Sequence, residues 1–344
     1  MAFEHVFGQP SAVATLSRSL ARGRVHHAYR FEGPDGVGKE LLALAFAQAL
    51  VCTAGVVLGC ERCDACRRAT TKSTRPPEVP LHPDVIFVGR ALYPAELIGG
   101  KKEASEISVE QIRRVVLSRA AYPPHEARHQ VVIIRGAEEL SSNAANALLK
   151  TLEEPRSGMH FVLLTSQPEV LLDTIKSRTL PVRFGPLPDD VLRTILLARG
   201  VPEERVAELS ALAGGRASLA LELADPERSA AREAFVQGLL EAMRRPGLGA
   251  AVAFAEGGER ERTWLVESLG AFAQVFVEQA REHAARGSSR ALQAAVRHAL
   301  VIDAIDAIER NGQATLVMSG LVASLKAARQ LRPGKPPSIP IARR

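Results

Sequence analysis

The stretch that most limits what this chain can fold into is Gly33-Pro34-Asp35-Gly36-Val37-Gly38-Lys39-Glu40. Glycines spaced as Gly33-x4-Gly38, followed by a lysine, let backbone N–H groups converge on phosphate oxygens, and the N-terminus of the next helix adds positive potential. Such a loop needs a strand before it and a helix after it. Phe31-Glu32 ends a short strand, and Leu41 to Leu50 reads as an Ala/Leu helix. Gly33, Gly36, Gly38 and Lys39 are therefore candidate nucleotide-binding residues, for ATP or ADP. One position breaks the pattern. A Ser or Thr should follow the lysine and place its hydroxyl on Mg²⁺. Here Glu40 follows, longer and negatively charged.

The rest of the first half alternates strand and helix. Asp84 to Val88, Val131 to Ile134 and Phe161 to Leu164 read as strands, and 142–154 as a helix. Ser108 caps another helix, with Gln111 placed to complete a capping box and Ile112, Val115 and Val116 as its apolar face. Segment 1–30 is mostly helical, with Val13, Leu16 and Leu20 on one face. Residues 70–82 are a Thr- and Pro-rich loop, and 89–107 a mobile surface insertion with Gly99-Gly100-Lys101-Lys102 at its tip. This alternation predicts an α/β domain over 1–185 with a parallel sheet covered on both faces.

After Gly185-Pro186-Leu187-Pro188 only helices remain. Residues 186–226 predict a small helical lid domain. Residues 227–332 predict an all-α domain of long helices broken at Pro246-Gly247, Gly257-Gly258 and Gly287-Ser288, and the basic, Pro-rich 333–344 a disordered tail.

A hydrolysing enzyme with this loop needs an Asp after the strand 131–134 to hold Mg²⁺, and a group to position water. Arg135 and Gly136 stand there and do neither. Glu138 and Glu139 lie further on and read as a solvated face. Two defects in one mechanism predict no Mg²⁺-dependent hydrolysis and no intrinsic ATPase.

All four cysteines, Cys52, Cys60, Cys63 and Cys66, fall within 15 residues. In a reducing compartment such clustering points to a metal, and four thiolates suit tetrahedral Zn²⁺ in a closed structural site, a module at 52–66. The start, MAFEHVFGQP, lacks a basic-then-apolar signal segment, and no run approaches the ~18 apolar residues of a membrane span. A soluble, cytoplasmic protein with no membrane partner is expected. The net charge of +6 permits nucleic-acid contact, but only eight of 44 basic residues are Lys and acids are interspersed. With aromatics at 4%, stacking platforms for a stand-alone nucleic-acid binder are lacking.

Two arginines complete the candidates. Ser177-Arg178-Thr179 follows the last strand, and a guanidinium suits charge developing during phosphoryl transfer. Arg216, in Gly214-Gly215-Arg216-Ala217, opens a helix in the small helical unit; similarity to related ATPases, in which an Arg at such a place senses bound nucleotide, makes it a candidate for that role.

Gly8-Gln9, His27-Ala28-Tyr29, Gly33 to Lys39, the four cysteines, Asn143 to Pro155 (NAANALLKTLEEP) and Ser177-Arg178 occur together in an order that resembles the clamp-loader branch of the AAA+ ATPases. Within it the chain is most similar to the delta-prime class of bacterial DNA polymerase III subunits. The motor class, tau and gamma, shares the cysteine module and the ALLKTLEEP helix but keeps the Ser/Thr and the acids; an active motor of that class is the alternative reading. The resemblance implies a ring of five subunits with 227–332 as the collar. It implies tau/gamma motors and delta as partners, and the sliding clamp and primer-template DNA as contacts through the complex. It also implies that Arg178 acts as an arginine finger in trans beside Ser177, with Thr179 replacing the usual Cys.

Overall fold

The computed structural model describes residues 2–98, 106–247, 249–257, 262–309 and 312–328. It divides into two compact units, Met1–Ala224 and Asp225–Arg344. The expected tail at 333–344 and the tip at 99–102 lie outside the described residues.

The first unit is built on five strands: β1 (Ala28–Glu32), β2 (Val85–Val88), β3 (Gln130–Arg135), β4 (Met159–Thr165) and β5 (Leu180–Arg183). They pair in the order β2-β3-β4-β1-β5, and every pairing is parallel. Alternate residues of each strand face opposite ways, and the burial follows that period. Tyr29, Phe31, Phe87, Ile133 and Val162 join one apolar core. Ala28, Ile86, Val132, Ile134 and Phe161 join the other. The sheet is thus covered on both faces, which explains why its inner strands read as continuous apolar runs.

Helices α1 (Pro10–Ala21), α2 (Lys39–Val51) and α3 (Asp64–Thr70) lie in chain order before β2. Buried residues of α1, α2 and α3 join the first core, as do those of the three helices between 189 and 224. The second core takes Ile112, Val115 and Val116, and the helix Ser142–Glu153 through Ala144, Ala145, Leu148 and Leu152. That spacing is one stripe of a helix, and the Ser141 hydroxyl caps its start by accepting the Ala144 N–H at 3.2 Å.

Three expectations change. Ser108 does accept the Gln111 N–H at 3.2 Å, but the Gln111 side chain donates to the Gly89 carbonyl at 2.9 Å rather than closing the box. Gln111 is buried, so its amide satisfies a strand-end carbonyl that water does not reach. The described ends of the 89–107 insertion are anchored, not loose: Ile98 and Ile107 are core residues, and the Ile107 N–H donates to the Glu139 carbonyl at 2.7 Å. Glu138 and Glu139 do not form a solvated face. Gly136 takes a left-handed φ of 67° and starts a single 3-10 turn, Ala137–Glu139, that turns both carboxylates back toward the molecule.

The second unit is all helical: Pro226–Arg244, Gly249–Glu256, Arg262–Ala285, Arg290–Glu309 and Ala314–Ala327. Helices end at Arg244, Glu256 and Ala285, next to the expected breaks. The Asp225 carboxylate caps the first by accepting the Glu227 and Arg228 N–H groups at 2.9 and 3.1 Å. Its core is formed by Phe235, Leu239, Leu269, Phe272, Val301 and Leu325, among others. Among the described residues, no helix is long and apolar enough to cross a membrane.

Candidate functional site

The loop 33–38 runs from the end of β1 into the start of α2, as its glycines require. Gly33 has φ 150°, and a Cβ there would lie 2.3 Å from the Phe184 carbonyl oxygen. At Gly36, φ is 75° and a Cβ would lie 1.9 Å from the Ser218 hydroxyl. Both positions exclude side chains on space alone. The buried Gln9 ties this region together: its amide donates to the Val37 carbonyl at 3.2 Å and the Gly185 carbonyl at 2.8 Å.

Gly36, Gly38 and Lys39 line a cavity of about 580 Å³, with Glu40, Arg135 and Glu138 as further polar walls and Phe7, Leu41 and Ile195 among the apolar ones. Gly33 and Arg216 are not in its lining. Arg216 is exposed, and its Nε donates to the Ala213 carbonyl at 3.4 Å. Lys39 is buried and folded back on its own loop, donating to the carbonyls of Gly33 and, at 2.9 Å, Pro34, and to Asp35 Oδ1 at 3.1 Å. An ammonium has three donors, and the loop supplies an acceptor for each.

The two departures seen in the sequence meet here. Glu40 Oε1 accepts from Lys72 Nζ at 2.6 Å, and its Oε2 lies 3.9 Å from an Arg135 Nη1. Lys72 and Arg135 both sit over the Phe87 ring, at 5.1 and 5.9 Å from its centroid. The hydroxyl and the acid that a nucleotide-bound Mg²⁺ takes from such a site are replaced here. Magnesium requires oxygen donors in octahedral array; Arg135 offers only N–H donors, and the Glu40 carboxylate is already held between two cations. Glu138 Oε1 accepts the N–H and hydroxyl of Ser166 at 3.0 and 2.7 Å, while its Oε2 is buried without a partner. Glu139 pairs with Arg90 at 3.2 Å, and burial raises its carboxyl above the usual range. Ser166 and Lys72 are missed by sequence reasoning, which reads Glu138 as part of a solvated face. Only Lys72 carried a signal there, as an isolated Lys just beyond the cysteine cluster.

Ser177-Arg178-Thr179 lies elsewhere in the unit, between the short helix Asp173–Lys176 and β5. Arg178 Nη1 donates to the Thr174 carbonyl at 2.8 Å and the Ser177 hydroxyl at 3.1 Å, and Nη2 donates to Glu153 Oε1. The Thr179 hydroxyl donates to the Ile175 carbonyl at 2.8 Å and accepts from Arg30 Nη1 at 2.7 Å. Arg30 is itself buried on β1 and paired with Glu32 at 2.6 Å. The Thr179 hydroxyl thus has a local role: a hydroxyl accepts from a buried guanidinium far better than a thiol would.

The four cysteines converge, with all their sulfur atoms within 4.8 Å of one another. The Cys63 N–H donates to Cys60 Sγ at 3.2 Å, and the Cys66 N–H to Cys63 Sγ at 3.4 Å. Burial opposes the Cys63 thiolate, but the Cys66 N–H and Thr53 outweigh it and bring that thiol down to about 5. The chemistry of the donor set suits a closed tetrahedral metal site. The cluster is joined to α2 by the Gln48 amide, which donates to the Cys66 carbonyl at 2.9 Å.

A family model described as DNA polymerase III, delta subunit, matches residues 8–188. The chain belongs to that family of clamp-loader subunits. It is 31% identical over 240 residues to the DNA polymerase III subunit delta' of Bacillus subtilis, covering 69% of this chain and 65% of that protein. It is 36% identical over 210 residues to the delta' subunit of Pseudomonas aeruginosa, covering 60% and 58%. The gamma/tau subunit of Mycobacterium tuberculosis is 35% identical over 205 residues, covering 59% of this chain but 32% of that protein. Identity alone does not separate the delta' class from the gamma/tau class. The parallel sheet and the helical second unit fit the AAA+ clamp-loader fold.

Proposed function

We propose that the chain is a non-hydrolysing delta-prime subunit of the DNA polymerase III clamp loader, and that it supplies Arg178 to the ATP site of a neighbouring motor subunit. The observation that carries this is the reciprocal pair Glu40–Arg135, which replaces the hydroxyl and the acid of a Mg²⁺ site with an acid and a guanidinium. Phosphoryl transfer without the metal loses both positioning and charge neutralisation. ATP or ADP in the cavity would therefore be held by Gly36, Gly38 and Lys39, and not turned over. Zn²⁺ at Cys52, Cys60, Cys63 and Cys66 is structural on this reading, and 227–332 is the collar through which the chain joins tau/gamma and delta. Contact with the sliding clamp and primer-template DNA is made through the assembled complex, in the cytoplasm.

The test is ATP hydrolysis, stimulated by clamp and primed DNA, in the complex reconstituted with motor and delta subunits. Arg178→Ala at matched assembly is expected to lower the rate. An unchanged rate refutes the trans role. The similarity to gamma/tau favours the other reading, an active motor. An ATPase rate of the isolated chain equal to that of motor subunits, and abolished by Lys39→Ala, would establish it instead.

A further inference from the structure

Arg178 is not free to swing. Its guanidinium is gripped by three acceptors on two elements: the Thr174 carbonyl and Ser177 hydroxyl at one side, and Glu153 Oε1 at the other. A guanidinium has five N–H donors in a fixed plane, so these contacts set both the position and the tilt of that plane. The remaining donors include Nε, which is buried with no hydrogen-bond partner.

The Glu153 end of this grip is rigid. Glu153 closes the helix Ser142–Glu153, and the residue before it, Leu152, is fully buried. The carboxylate therefore projects from a point fixed by the second core of the sheet. The side chains are 31% exposed at Arg178 and 47% at Glu153, so the pair is reachable from outside. A half-exposed ion pair contributes little to stability; its effect is to hold two long side chains in one geometry.

We infer that Glu153 is a positioning residue for Arg178: it holds the guanidinium plane so that the remaining N–H of Nη2 and the charge of the group face the phosphate of a neighbouring subunit's nucleotide. This rests on the trans role proposed above for Arg178. Glu153 does not touch the nucleotide. Its role is to remove the rotamer search that an unrestrained arginine would make before each turnover, since small misplacements of a charge-stabilising group are costly in rate.

The experiment is a double-mutant cycle in the reconstituted complex, with ATP hydrolysis stimulated by clamp and primed DNA. Arg178→Ala is expected to lower kcat by about tenfold or more. Glu153→Ala is expected to lower kcat by about threefold with the KM for ATP unchanged, and Glu153→Gln, which keeps an acceptor oxygen, to recover most of the loss. In the Arg178→Ala background, Glu153→Ala should have no further effect. A merely structural role for Glu153 predicts the opposite: the same loss in both backgrounds, which overturns the inference. An unchanged or raised rate in Glu153→Ala, with Arg178→Ala still impaired, also overturns it and leaves the trans role standing. An Arg178→Ala complex at full rate overturns the trans role and this inference together. If Glu153→Ala fails to assemble, Glu153→Leu, which keeps the bulk of the side chain and removes the acceptor, carries the cycle, and equal loss in both backgrounds is again the disproof.

Discussion

Two arginine–glutamate pairs of the first unit make a useful contrast. Arg135–Glu40 and Arg178–Glu153 are the same chemistry at similar exposure, with arginine side chains 47% and 31% exposed and glutamates 32% and 47%. What differs is the company. Glu40 is shared with Lys72, and both cations rest on Phe87, so the charges there are spent on one another. The Arg178 plane is held by a carbonyl and a hydroxyl as well as a carboxylate, and keeps one N–H of Nη2 in reserve. One pair fills a site and the other, on the role proposed for Arg178, presents a group. Residue type and exposure do not distinguish these outcomes; the remaining hydrogen-bond partners do.

The contrast breaks most visibly if the cysteine cluster is perturbed. Lys72, which shares Glu40 with Arg135, lies two residues beyond α3, which carries Cys66, so the cysteine cluster is tied to the first pair and not to the second. Removing the metal with a chelator is expected to speed amide hydrogen exchange across 39–72 by about 100-fold, and to leave 173–183 unchanged. Equal change in both segments would show that the pairs are not independent. Metal analysis should first give one zinc per chain.

Hydrolysis by the complex separates the pairs next. Arg178→Ala should cost about tenfold or more, while Arg135→Ala should leave the complex at its wild-type rate. A comparable loss from Arg135→Ala would mean that the cavity of this chain contributes to turnover. The double variant Glu40→Thr/Arg135→Asp sharpens the point. It restores the hydroxyl and the acid, and nucleotide binding measured by calorimetry should then become about tenfold tighter with Mg²⁺ than without. Wild type should show no such dependence, and a Mg²⁺ effect in wild type would contradict the fit argued here. The smallest effect is expected at Thr179→Cys, which weakens the bond from Arg30 and should lower stability in denaturant melts by about 1 kcal/mol.

Much of this was readable from the chain. The strands at 84–88, 131–134 and 161–164 announce themselves because both faces are buried, and the helix at 142–154 because its apolar stripe and Ser cap agree. β5 was not legible. Its sequence, Leu180-Pro181-Val182-Arg183, buries only Val182, and Pro181 argues against a strand unless it lies at an edge, as it does here. The cavity was legible as two separate defects, but not as a pair. Glu40, Lys72 and Arg135 are far apart in sequence, and only the parallel order of the strands brings β3 beside β2 and near α2. The orientation of Glu138 was hidden for another reason: one left-handed glycine redirects the chain, and periodicity does not register a single turn.

The bond between Arg30 and Thr179 carries a consequence for how this sequence changes over generations. A buried guanidinium on β1 tolerates poorly the loss of its hydroxyl acceptor. A threonine at 179 gains less over a cysteine once an apolar residue stands at position 30. The two positions are therefore bound as inherited partners, so that lineages crossing from one state to the other pass through a weakened intermediate. Among relatives, the residue at position 30 should foretell whether position 179 holds threonine or cysteine.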